Sequence, residues 1–190
     1  MCLHALGVFC LLAEIAPCRL LAEDDNPSSP KPVPSQAVGS RVPVLLQGDG
    51  WMTYRNPRFG FHLPVPPGLG SNTPPTNGDG QSFTSTDGLI TLTGSGWRNE
   101  DGYRLEESWM RETGVAGRTI TYQRKEKDWY VISGVDSKGI AFYSRFVADE
   151  RYVAEWEITY PISQEKMVIP WIERISRDYD PRLGSGEEAN

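Results

Sequence analysis

The chain has 190 residues, 38% hydrophobic and 11% aromatic, enough to fill one globular core and to exclude disorder throughout. Its formal charge of −6 argues against a nucleic-acid phosphate backbone, which is bound by clustered Lys and Arg. The densest basic run, Arg124 to Lys127, is broken by Glu126 and followed by Asp128, a pattern that suits a solvated hairpin tip.

From the N-terminus, Leu3 to Ala16 is apolar apart from His4 and Glu14 and is shorter than the roughly 20 residues of a membrane span. Leu20-Leu21-Ala22 offers a cleavage site before the acidic Glu23 to Asp25. Residues 1–22 therefore read as a secretory signal peptide, although no Lys or Arg precedes the apolar run. The expected location is exported, periplasmic or extracellular. Cys2, Cys10 and Cys18 all lie in this leader, so the mature chain has no thiol. That removes a disulfide framework, a thiolate zinc site and a cysteine nucleophile. Ile15 to Cys18 is similar to a lipobox, but Pro17 departs from it; lipid attachment at Cys18 stays an open alternative to a free secreted chain.

Residues 23–50 are rich in proline, serine and glycine and read as a flexible linker or tether. Within them, Val42 to Leu46 is a candidate edge strand, weakened by Pro43. A folded domain is expected over 51–180. Met52 to Arg55 and Phe59 to Val65 read as strands about an Asn56-Pro57 turn, and Pro66-Pro67 starts a long loop. Gln81 to Ser85 and Leu89 to Thr93 form a hairpin across Thr86-Asp87-Gly88. A helix is predicted over Tyr103 to Thr113, capped by Asp101 or Asn99 and stopped at Gly114. Its apolar stripe is Leu105, Trp109 and Met110. Four strands follow: Arg118 to Gln123, Trp129 to Val135, Ile140 to Val147 and Tyr152 to Tyr160. The last element is a helix within Ser163 to Tyr179, with Val168, Trp171, Ile172 and Ile175 at helical spacing and Pro170 as a kink or first residue. Residues 181–190 have the composition of a disordered tail. Strands joined by short hairpins, with helices set apart, predict an α+β domain: an antiparallel β-sheet flanked by two main helices.

Four patches carry a resemblance: Tyr54 to Phe61, Asn77 to Gln81 with Phe83 and Asp87-Gly88, Trp129 to Gly134, and Glu173 to Ser176. Together they resemble a group of small exported bacterial proteins, mostly uncharacterised, with a PsbP-like fold. The resemblance covers roughly residues 51–180 and implies an α/β/α sandwich. It supplies no accepted active site, and fold does not fix function.

The glycine-aspartate loop from Pro75 to Gly88 is the main candidate for chemistry. As a calcium loop counted from Asn77, Asp79 and Gln81 fit. Ser82 stands where glycine is required, however, and Gly88 where a bidentate Glu belongs. A phosphate cradle needs a following helix with Lys, and here a strand follows. The loop therefore reads mainly as a turn, with Gly78 and Gly80 at positive φ, and secondarily as a ligand-contacting loop using Asn77, Asp79 and Gln81. Trp97 and Arg98, on what reads as a glycine-flanked connection, are the further partner-binding candidates, against a reading of Trp97 as a cap over the core. His62 should face outward by strand alternation. Glu155 and Glu157 share a strand face about 7 Å apart, spacing open to a hydrolase but equally to a charged face paired with Arg145 or Arg151. No catalytic, metal or cofactor residue is assigned. The expected function is a non-catalytic binding or accessory domain with an envelope or extracellular protein partner. The alternatives are a small carboxylate-dependent hydrolase and a weak calcium-binding module.

Overall fold

The computed structural model describes residues 42–100 and 105–187. The leader with Cys18, most of the proline-rich stretch, Asp101 and residues 188–190 lie outside them. A small antiparallel sheet joins β1 (Val44–Leu46), β2 (Met52–Arg55) and β3 (His62–Val65) in the order β1-β2-β3. The larger sheet contains β4 (Leu69–Ser71), β5 (Gly80–Ser85), β6 (Thr91–Arg98), β7 (Arg118–Lys125), β8 (Trp129–Asp136), β9 (Ile140–Ala148) and β10 (Tyr152–Pro161). Its order is β4-β5-β6-β10-β9-β8-β7, and every pairing is antiparallel. The helices are α1 (Leu105–Thr113) and α2 (Glu165–Asp178), the latter entered through a 3-10 turn, Ile162–Gln164. The fold is α+β, an antiparallel sheet with two helices, as the hairpin pattern predicts.

Strand alternation sorts the core onto two faces. On β10, Ala154, Trp156, Ile158 and Tyr160 pack with Val168, Ile172 and Ile175 of α2, with Leu63 of the small sheet and with Phe61 just before β3. On the opposite face, Tyr130, Ile132, Phe146 and Val153 gather Leu105 and Trp109 of α1. Pro170 lies inside α2 rather than at its start.

Several expectations need correction. Val44–Leu46 pairs with β2 in register Val44↔Tyr54, so the edge strand expected there forms and part of the stretch read as linker is docked on the domain. Pro43 precedes the paired residues and still accepts a bond from the Arg55 amide (3.1 Å). The tail read as disordered is packed as far as residue 187: Gly186 is buried, Leu183 contacts the core, and the Glu187 amide donates to Pro57 O (2.9 Å). On α1, Ser108 is the buried residue, while Met110 is 57% exposed. Ser108 points inward because its hydroxyl meets Tyr130 Oη at 2.9 Å. Among the described residues no helix is long and apolar enough to cross a membrane.

Candidate functional site

The chain between β4 and β5 leaves the edge of the large sheet and is fastened back onto the turn between β2 and β3. Asn56, 2% exposed, is the fastening. Its Nδ2 donates to Gly78 O (3.0 Å) and to Tyr54 Oη (2.9 Å), and its Oδ1 accepts from the Phe59 amide (2.7 Å). Arg58 adds a second clasp, with Nη1 donating to Asn77 O (2.8 Å) and to Asp79 Oδ1 (2.5 Å). Asn77 Nδ2 donates to Asp79 Oδ2 (2.6 Å), and the Gly96 amide donates to Asp79 O (2.8 Å). Gly78 holds φ +71°, the left-handed geometry expected of it. Gly80 is required for another reason. A Cβ there would lie 2.1 Å from Gly94 O, so the glycine permits close approach of β5 and β6 rather than positive φ.

This arrangement answers the calcium reading in physical terms. Both oxygens of Asp79 already accept bonds, one of them from a guanidinium, and a cation would have to displace Arg58. Among the described residues no group of three or more His, Cys, Asp or Glu is placed to hold a metal ion.

Three depressions surround the loop. One of about 300 Å³ is lined by Pro43, Pro57, Pro74 and Pro75 together with Tyr54 and Gln81. A second, of about 530 Å³, is polar, with Asn72, Asn77, Asp79, Ser82, Thr93 and Ser95 among its lining. Pro75, Gly80 and Gln81 line both. The third, about 480 Å³, brings Asn77 together with Arg58, Arg98 and Glu187. Gln81 is 3% exposed. Its Nε2 donates to Asn72 O (2.7 Å) and Ser82 O (2.8 Å), which fixes the carboxamide orientation. Its Oε1 is buried and, among the described residues, accepts no hydrogen bond. A buried acceptor left in that state costs about 1–3 kcal/mol, so it is informative wherever it occurs.

Of the predicted candidates, Asn77, Asp79 and Gln81 therefore share one site, and Arg98 reaches its rim. Trp97 does not match the expectation of an exposed side chain. It is a half-buried residue of β6, its ring 6.0 Å from that of Phe146, because β6 continues past Gly94 and Gly96 instead of becoming a loop. His62 is half-buried and tied through its backbone to Asp180 (2.8 and 3.1 Å). Burial, with Arg182 and Arg55 nearby, lowers its pKa. Tyr54, Asn56 and Arg58 are the site residues missed in the sequence. The Asn-Pro turn was visible there, but nothing local signals that its side chains clasp a loop about twenty residues away.

Glu155 and Glu157 lie on the α1 face of β10, and their expected partners were wrong. Arg145 pairs in register with Trp156 and so points to the other face, where its Nη1 donates to Ser176 O (3.0 Å). Arg118 of β7 takes their place, 3.7 Å from Glu157 and 3.7 Å from Glu112. Burial, then the negative Glu157 and Glu112, pushes the Glu155 pKa up to about 7, with Arg111 opposing. Glu157 is raised by burial too, with Arg118 opposing.

No protein-family model matches the sequence, and no curated protein matches it either. Among solved structures, the chain is similar to the solution structure of cyanobacterial PsbP (CyanoP) from Synechocystis sp. PCC 6803. The match has 9% identity and a TM-score of 0.48, and covers 69% of this chain and 92% of that one. No residue role is carried over from it.

Proposed function

We propose that the chain is an exported, non-catalytic accessory domain that binds a protein partner with the face around its 72–81 loop, held at a distance by the proline-rich N-terminal stretch. Export is supported by the apolar leader and by the confinement of all three cysteines to it. The observation that carries the binding reading is the loop's rigid footing. Its own polar groups are largely engaged with Asn56, Arg58 and each other, so it presents a fixed surface of depressions rather than an activated nucleophile or base. A pre-organised surface of this kind loses little entropy when a partner docks. The test is site-specific photo-crosslinking in the native envelope fraction, with the reactive side chain at Thr76 or, as control, at Lys138 in the β8–β9 turn. A discrete adduct from Thr76 alone supports the reading. Identical patterns from both positions, or none from Thr76, overturn it.

One observation favours a second reading, a carboxylate-dependent hydrolase. Glu155, whose pKa burial pushes up to about 7 beside the Arg118-paired Glu157, stays partly protonated near neutral pH, as a general acid must. In that case Glu155→Gln and Glu157→Gln would each abolish any hydrolytic activity found by substrate screening. Activity unchanged in both dismisses it.

A further inference from the structure

We infer that the polar depression of about 530 Å³ beside the 72–81 loop is a binding site for a neutral saccharide, held by the hydroxyls of Ser82, Thr93 and Ser95 on the open face of the large sheet. This goes beyond the protein-partner reading and does not depend on it. Thr76, the crosslinking position, lines the other two depressions and not this one.

Strand alternation decides which way these side chains point. Phe83 of β5 and Leu92 of β6 are fully buried in the core against the small sheet. Ser82, Thr93 and Ser95 hold the alternate positions, and each is partly open to solvent. On β6 the latter two share their face with Trp97, which packs with the cluster under α1. That helix packs over β8, three strands beyond β6 in the sheet order, and leaves the β5–β6 end of the face open. Register sets Thr93 opposite Glu157 and Ser95 opposite Glu155, so both carboxylates of β10 adjoin the depression on the same face. The Ser82 and Thr93 hydroxyls meet at 2.9 Å, a bond that uses only one of their two protons. Among the described residues the Ser95 hydroxyl has no hydrogen-bond partner.

The lining selects its ligand by charge and by hydrogen-bond character. Among the described residues no Lys or Arg lines the depression, whereas Asp79 does, with Glu155 and Glu157 alongside. A phosphate, sulfate or carboxylate would meet negative charge there without a cation to match it. A cationic ligand would find Asp79 already engaged by Arg58 and Asn77, and Glu157 facing Arg118. Pro75 is the one apolar side chain in the described lining, so an apolar segment would gain little by docking. What the site offers instead is a set of groups that both donate and accept: the hydroxyls of Thr73, Ser82, Thr93 and Ser95 and the carboxamides of Asn72 and Asn77. Sugar hydroxyls have the same double character, several to a ring, with no net charge. The volume lies within the range of small-molecule sites.

The experiment is an NMR titration of the protein with three uncharged trisaccharides, maltotriose, cellotriose and galactotriose, and with trigalacturonate as an anionic counterpart. At least one neutral trisaccharide should give saturable millimolar shifts at the Ser82, Thr93 and Ser95 backbone amides. Trigalacturonate should bind at least about threefold more weakly than the best of them. Thr93→Val, which keeps the shape, and Ser95→Ala should each weaken the neutral ligand about three- to tenfold, the loss of one hydrogen bond. Thr119→Val, on β7 at the far edge of the sheet, should change its affinity less than about twofold. No saturable shift with any of the three, shifts confined to other amides, or trigalacturonate binding as tightly as the best neutral probe overturns the inference. All three outcomes are read on the unaltered protein, whatever the folding of a variant. If the titration fails while the Thr76 adduct persists, the protein-binding face stands and the saccharide site falls. If the titration succeeds without an adduct, the saccharide site stands and the protein partner falls.

Discussion

Asn56 holds the 72–81 loop by using both ends of its carboxamide inside the protein. Asn56→Ala would strand the Phe59 amide, the Gly78 carbonyl and the Tyr54 hydroxyl in a place that water reaches poorly. Leaving buried groups unmatched costs about 1–3 kcal/mol each, partly recovered by relaxation, so a loss of about 3 kcal/mol in urea unfolding is expected. Arg58→Ala offers the contrast. The Arg58–Asp79 pair is 36% and 37% exposed, and an ion pair at that exposure contributes under about 1 kcal/mol. If the two variants unfold at the same urea concentration, Asn56 is not the fastening. The comparison separates bond count from burial, since Arg58 and Asn56 both reach the loop but only Asn56 does so out of the solvent.

Glycine marks the elements where sequence and structure part company. The β5–β6 hairpin is legible from Asp87-Gly88 and from the alternation between Gly80 and Ser85, as are β7 to β10 and α2 from their periodicities. The extension of β6 from Gly94 to Arg98 is not, because Gly-Ser-Gly reads as a loop. Those glycines serve packing: a Cβ on Gly94 would sit 2.8 Å from Leu63 Cδ2, and one on Gly96 3.0 Å from Phe59 Cβ. The small sheet lies so close over β6 that only hydrogen fits, a long-range fact that no local pattern reports. The C-terminal tail was misread for the same reason, since a Cβ on Gly186 would lie 2.1 Å from Arg58 O. The site was half legible: Gln81 was marked by its loop, whereas Tyr54 gave no sign beyond strand alternation. At this scale the sharpest prediction is Gly80→Ala. Its Cβ meets the Gly94 backbone rather than a side chain that can rotate away, so β5 and β6 must separate, at a cost of about 2 kcal/mol. Amide exchange should accelerate at the β5–β6 bonds and leave β8–β9 unchanged. Uniform acceleration across both hairpins would mean that the strands do not part locally.

At the scale of the whole molecule, pH acts through the half-buried carboxylates of β10. Glu155 has an ordinary value of 4.5 when unfolded and about 7 when folded, so between these limits the folded state binds more protons than the unfolded chain. Stability therefore falls as pH rises from about 4.5 to 7, by at most about 3 kcal/mol for Glu155, and the penalty is complete above that range. Glu157, also raised, acts in the same direction. The opposite sign applies to Asp49, Asp87, Asp136 and Asp178. Hydrogen bonds from Arg174, Ser85, Ile140 and Arg177, respectively, depress them, and their contribution disappears only as pH falls below the ordinary carboxylate range. The carboxylates together therefore favour the folded state most near pH 4 to 5, where Glu155 still holds its proton and the aspartates are ionised, while His62, lowered by burial, opposes them as pH falls through its ordinary value. Glu155→Gln keeps the shape and removes the ionisation, so it should raise the urea midpoint at pH 8 and leave it nearly unchanged at pH 4.5. Glu157 would retain a shallower slope. A variant whose midpoint still follows the parent's pH curve would show that Glu155 is hydrated in solution and that another group governs the dependence.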